Sequence, residues 1–284
     1  MIDTHQHLIH PDRFTYSWAD DIPVLHGPFR LQEYKKAAHP TAFEGSLFME
    51  VDVDEAQSAD EARFFCQLAE IPSNRILGVI AAARPEKDDF AHYLDSIAHE
   101  RVVGIRRVLH TQHDDLSVSP LFRKNIRHLA ARNLTFDLCV LQRQLPLALE
   151  LVRSAPDVFF VLDHCGAPDI AGNNAADGTG WNHWKSGVKS LASCPNVFGK
   201  ISGLTVYAPE NLRTTDGLAP YFLTMLEAFG PDRLVWGGDW PVVNLGSGLP
   251  GWIDITTELL SPLTITEREN ILSRNARSIY RIPS

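Results

Sequence analysis

The sequence predicts an α/β fold of the (β/α)8 kind, a TIM-type barrel, and three observations carry that expectation. Eight short apolar or β-branched runs recur along the chain. Their starts lie 24 to 44 residues apart, room for one crossover helix each in right-handed parallel βαβ units. The stretches between them carry helix signals of their own, and eight such units suggest a closed barrel.

The runs are MIDTH from Met1, GSLFMEV from Gly45, RILGVIAAA from Arg75 and VVGIRRV from Val102. LTFDLCV from Leu134, VFFVLDH from Val158, NVFGKIS from Asn196 and RLVWGGD from Arg233 complete the set. Among the helices, Ser119 and Pro120 form an N-cap and first-position pair, after which Phe122, Ile126, Leu129 and Ala130 recur at helical spacing. Phe90, Leu94 and Ile97 do the same after the third run. Tyr221 to Phe229 is an apolar stretch closed by Gly230 and Pro231, the order expected of a helix stop. Two connections are longer than simple turns and are candidate lids: residues 8–30, with Tyr16, Trp18 and His26, and residues 166–180, rich in Gly, Ala and Asn. The expected organisation is one domain over residues 1–284 with loop insertions near 8–30 and 166–180.

Composition narrows the function. The chain has 284 residues, 26 basic and 35 acidic, for a formal charge of −9, and 44% of it is apolar, enough for a full core. No concentrated Lys/Arg run offers a nucleic-acid footprint. The longest clean apolar run, Ile76 to Ala83, has eight residues against the roughly 18–20 a membrane span needs. The start MIDTHQH lacks a secretory pattern, and Cys66, Cys139, Cys165 and Cys194 show no CxxC spacing, so reduced thiols and a cytoplasmic location are expected. The expected partner is a small-molecule substrate, with no nucleic acid and no membrane; a homo-oligomer is left open.

Chemistry concentrates at the ends of the runs. His5 and His7 are two apart in an extended segment, so both imidazoles face one way, spaced for one metal ion or one substrate oxygen. Asp163 and His164 close the sixth run, and Asp239 the eighth, with Trp240 and Pro241 after it. Only a barrel with one shared face brings three such strand ends together. Glu50 closes the second run, Arg106 and Arg107 the fourth, and Lys200 lies in the seventh. An arginine fork there would suit a carboxylate or a row of sugar hydroxyls. His110 is a borderline case, and Cys139 and Cys165 read as packing. Trp18, Trp181, Trp184 and Trp240 are equally fit to stack on a ring or to fill the core.

These pieces, in order IDTHQH, GIRRVLH, VLDHCGAPD, NVFGKISGL, RLVWGGDWPV and NARSIY, span nearly the whole chain. It resembles the amidohydrolase superfamily in its amidohydrolase-2 branch, particularly sugar lactonases and the related pyrone-dicarboxylate lactonases. The resemblance implies an amidohydrolase-like barrel with His5, His7, His164 and Asp239 around the reacting centre. It implies a divalent metal, zinc, on His5, His7 and Asp239, with a further histidine ending the fifth strand. Here that strand ends FDLCV, with Asp137 and Cys139, so a metal-free site is the alternative.

The expected activity is hydrolysis of a lactone of a sugar acid or related small carboxylic acid. Asp239 is the expected general base for water and His164 a catalytic partner, with Arg106, Glu50, Lys200 and Trp240 on the substrate. Two other readings use the same scaffold: a metal-dependent decarboxylase of aromatic or muconate-type acids, and a non-catalytic sugar-acid-binding barrel.

Overall fold

A computed structural model describes residues 1–173 and 178–282. Eight parallel strands follow one another around a single sheet in chain order: β1 (Ile2–Gln6), β2 (Gly45–Met49), β3 (Ile76–Ala82), β4 (Val102–Val108), β5 (Thr135–Cys139), β6 (Phe160–Leu162), β7 (Val197–Ile201) and β8 (Leu234–Trp236). Seven fall inside the runs read from the sequence, and β1 extends one residue past its run, to Gln6. Helices connect them on the outside, among them Leu31–Ala38, Ser58–Ala69, Phe90–Ser96, Leu145–Ser154 and Thr179–Ala192. The fold is a (β/α)8 barrel.

The helix signals act as expected. Ser119 caps the helix Pro120–Ile126, its hydroxyl accepting from the Phe122 amide at 3.2 Å, a contact of the kind that stabilises a helix by about 1 kcal/mol. The helix Thr215–Phe229 stops at Gly230, whose positive φ of 68° suits a residue without a side chain. No described helix is long and apolar enough to cross a membrane.

The barrel closes between β1 and β8 through a seam of unusual make-up. The His7 amide donates to the Trp240 carbonyl and the Asp239 amide to the His5 carbonyl, each at 2.8 Å. Buried Asp3 reinforces this: its carboxylate accepts from the Gly238 and His5 amides and from the Tyr34 hydroxyl, at 2.8, 2.9 and 2.9 Å. A Cβ on Gly238 would lie 2.5 Å from Asp3 Oδ2, so only glycine lets the two segments meet. The residues that close the ring are the neighbours of those expected to do chemistry.

Below the site, a second apolar cluster joins Ile2, Leu47, Met49, Ile80 and Val235 to Ile279 and Tyr280 of the last helix region. The chain start is tied to this end. Glu44 accepts from the Met1 ammonium at 2.8 Å, and from Ser273 and Arg277 at 3.0 Å each. Partial burial raises the Glu44 carboxyl, but these bonds outweigh it and hold it at about 2, below the ordinary 4.5. A carboxyl depressed in the folded state contributes stability above its unfolded pKa and loses it as pH falls through the folded one. The difference in melting temperature between wild type and Glu44→Gln is therefore expected to be full above about pH 5 and to vanish toward about pH 2. A difference that persists at the acid end would rule out ionisation as its source.

The first long connection is not a free lid. Leu8, Ile9, Phe14, Tyr16 and Leu25 are buried, and the Trp18 indole is anchored on the Val51 carbonyl at 2.7 Å. Of the second, residues 174–177 lie outside the described residues, and its described flank packs Ile170 into the core.

Candidate active site

A cavity of about 180 Å³ opens at the carboxyl end of the strands, where barrels of this kind carry their chemistry. His7, Arg106, His164 and Asp239 line it together with Asp52, His110, Cys139 and Tyr207. Valines 51, 108, 206 and 242 and Trp18 form its apolar flank.

Asp239 sits at the centre. Its Oδ1 lies 3.7 Å from His5 Nε2 and 3.6 Å from His7 Nε2, and its Oδ2 lies 3.9 Å from His164 Nδ1. Residues 5, 7, 164 and 239 thus converge as the sequence predicts. The route differs from a plain strand end, because β6 stops at Leu162 and β8 at Trp236. His164 and Asp239 follow in left-handed backbone, with φ of 52° and 56°. Such a conformation costs a residue with a side chain about 1–2 kcal/mol and collects at sites where an exact side-chain direction is required. Gly203 makes room for the first: a Cβ there would lie 2.8 Å from the His164 ring.

Charge and hydrogen bonds set the protonation states. Burial would raise the Asp239 carboxyl, but the His164, His7 and His5 imidazoles around it outweigh that and hold it at about 2. Asp239 is therefore ionised at any working pH. Burial lowers His5 and His164, favouring neutral rings. His7 Nδ1 faces the Met49 carbonyl at 3.0 Å; a carbonyl only accepts, so the neutral ring carries its lone pair on Nε2. His5 Nδ1 faces two partners, the Lys200 ammonium at 3.3 Å and Asp163 Oδ1 at 3.5 Å. With its proton toward Asp163, His5 presents a second Nε2 lone pair, 3.2 Å from that of His7. With Lys200 donating to Nδ1 instead, His5 donates from Nε2 to His7, and the chain of bonds is satisfied without a metal.

The first arrangement fits a divalent ion. Nε2 of His5, Nε2 of His7 and Oδ1 of Asp239 are 3.2 to 3.7 Å apart. Zinc bonds of about 2.0–2.2 Å in a tetrahedron separate the ligands by roughly 3.3–3.6 Å, so the donor set and its spacing match. A second group, His5, Asp163 and His164, also clusters, but there Lys200 stands 2.7 Å from Asp163 Oδ1.

Three residues that the sequence places on the substrate do not line the cavity, and each is a correction. Lys200 is fully buried; its ammonium lies 2.6 Å from Asp137 and 2.7 Å from Asp163, so it neutralises two carboxylates inside the barrel. Trp240 is buried with its ring against Phe29 and Tyr34, pointing away from the pocket. Glu50 acts through Arg106, accepting from its Nε at 2.5 Å. Arg106 itself does line the cavity, its Nη1 3.4 Å from His5 Nε2, whereas Arg107 turns aside to Glu86. Trp184 and Trp181 pack against Tyr221 in the core, which leaves Trp18 as the tryptophan on the cavity wall among the described residues.

Other site residues are weakly signalled by sequence. Cys139 and His110 line the cavity and touch, Nδ1 to Sγ 3.0 Å, because the His110 amide bonds the Cys139 carbonyl and folds the loop after β4 over the end of β5. Burial pushes the Cys139 thiol up, so it stays a thiol, and burial together with Arg106 holds His110 at about 4, a neutral ring.

Fold and site together define a class. The amidohydrolase family model matches residues 2–282, and the chain belongs to that family of enzymes, a hydrolase by class. Among curated proteins it is similar to an L-fucono-1,5-lactonase of Burkholderia multivorans, 27% identical over 99% of this chain and 96% of the relative. It is also similar to an L-rhamnono-gamma-lactonase of Scheffersomyces stipitis, 22% identical over 99% of this chain and 98% of that one. Among solved structures, an amidohydrolase from Burkholderia multivorans with bound zinc matches at a TM-score of 0.88 and 25% identity, covering 99% of both chains.

Proposed function

We propose that the enzyme hydrolyses a small, uncharged lactone of a sugar acid, with Asp239 as the general base. The observation that carries the reading is the convergence of His5, His7, His164 and Asp239, within 3.9 Å of the Asp239 carboxylate, on the wall of a small cavity. The similarity to two sugar-acid lactonases over nearly full length supports it.

Two features of the cavity argue for a neutral ring. At about 180 Å³ it is smaller than the roughly 300–1,000 Å³ of pockets for drug-sized ligands and suits one small ring. Its one guanidinium among the described residues, Arg106, is already neutralised by Glu50, Asp52 is paired with Arg84, and Asp239 adds negative charge. A substrate carboxylate would find no uncommitted cation there, which weighs against a decarboxylase or a dicarboxylate lactonase. Sugar hydroxyls can bond Arg106, and the valines can cover an apolar edge.

The geometry supports the following mechanism. Asp239 Oδ1 lies on the His5 and His7 side, which leaves Oδ2, on the His164 side, to hold water and accept its proton. The hydroxide adds to the lactone carbonyl carbon, and imidazole and guanidinium donors meet the charge that develops on the carbonyl oxygen. The carbon–oxygen bond of the ring then breaks, and Asp239 returns its proton to the leaving alkoxide. A carboxylate held near 2 is a weak base, a handicap that acidification of the water would offset. A zinc ion on His5, His7 and Asp239 would supply that acidification and polarise the carbonyl.

The test is a panel of aldonolactones followed with a pH indicator, before and after chelation. Acid release is expected on five- or six-membered sugar lactones, falling on chelation and returning with zinc. Carbon dioxide release from aromatic acids, or no reaction at all, would overturn the reading. Full activity in chelated, metal-free protein would retain the lactonase and remove the ion.

A further inference from the structure

The reaction pocket shares a wall with a larger cavity. That neighbour, of about 420 Å³, is lined by Leu141, Arg143, Pro168, Asp169 and His183, and Tyr207 is the residue common to both among the described residues. Tyr207 ends the short turn Leu204–Tyr207 after β7. The turn is pressed against the site, because Gly203 at its start leaves no space for a Cβ beside His164, and the Tyr207 and His164 rings lie 6.3 Å apart. The Tyr207 side chain is half-buried, and its hydroxyl is neither sealed from solvent nor bonded to any described residue. A phenol is protonated at neutral pH, so this hydroxyl is a donor without a protein acceptor at the edge of a pocket for a polyhydroxylated ligand.

We propose that Tyr207 decides which lactones the pocket admits: its ring closes the pocket against the neighbouring cavity, and its hydroxyl donates a hydrogen bond to the bound lactone. This rests on the lactonase reading above. With the ring in place, a compact lactone fits and one bearing a glycosyl extension is refused. Without it, the extension can enter a space whose wall carries Arg143, Asp169 and His183.

Two variants test the two roles, each assayed beside wild type on a compact aldonolactone and on a glycosylated one. Tyr207→Phe keeps the ring and breaks no bond to the protein. Its melting temperature is expected to be unchanged while kcat/KM on the compact lactone falls about 3- to 10-fold, mainly through KM. Tyr207→Ala, or Tyr207→Leu should the first fail to fold, is expected to raise the preference for the glycosylated lactone at least about tenfold relative to wild type. A Phe variant equal to wild type, or a ring-deleted variant with unchanged preference, overturns the proposal. Wild-type protein inactive on both lactones overturns the lactonase reading itself, so the two failures are told apart.

Discussion

Asp239→Asn is expected to lower turnover by about 10²- to 10⁴-fold, the usual range for loss of a positioned general base, while the protein still folds and binds its sugar-acid product. Asparagine has the same shape, and the backbone bond from residue 239 to the His5 carbonyl does not depend on the side chain. What it lacks is the ionised oxygen on the His164 side that takes a proton from water. Steady-state kinetics, a product-binding titration and a melting curve on the same preparation separate these effects. Turnover close to wild type would remove Asp239 from the mechanism.

The second large effect is on stability. Lys200→Met is expected to destabilise the fold by about 3–5 kcal/mol, because it strands two carboxylates, Asp137 and Asp163, that no solvent reaches. Of the remaining contacts, the Tyr280 hydroxyl bonds Asp137 at 2.8 Å and His5 faces Asp163 at 3.5 Å, neither a permanent cation. Burial raises Asp137 to about 6 even with Lys200 beside it, so the variant is expected to protonate that carboxyl as its cheapest relief. Adding Asp137→Asn should then recover part of the loss. Urea denaturation measures both, and a Lys200→Met variant as stable as wild type would show that the ion-pair network is dispensable.

The barrel was legible because its signal is repeated: eight runs, spaced for crossovers, leave few other topologies. The same logic reached His5, His7, His164 and Asp239, since parallel strands in one ring deliver all their carboxyl ends to one rim. Side-chain direction is where sequence ran short. Lys200 follows the strand pattern equally well whether it meets substrate or two carboxylates, and only the placement of Asp137 and Asp163 beside it decides. Trp240 sits next to a left-handed residue, so alternation no longer predicts where its ring points. Cys139 and His110 meet through a loop folded over a neighbouring strand, and Tyr207 reaches the pocket from a turn beyond the strand end. None of these leaves a local pattern.

The bonds joining the first and last strands have a consequence for how the protein comes into being. During synthesis, His5 and His7 are made long before their partners around position 240, from which more than two hundred residues separate them. No partly built arc of strands can hold the four side chains together, since the gap to be bridged is the one at which they meet. Competence therefore arrives in a single late event, with the joining of the two ends of the sheet, and a nascent or nicked chain that has not joined them has a scaffold without a catalyst.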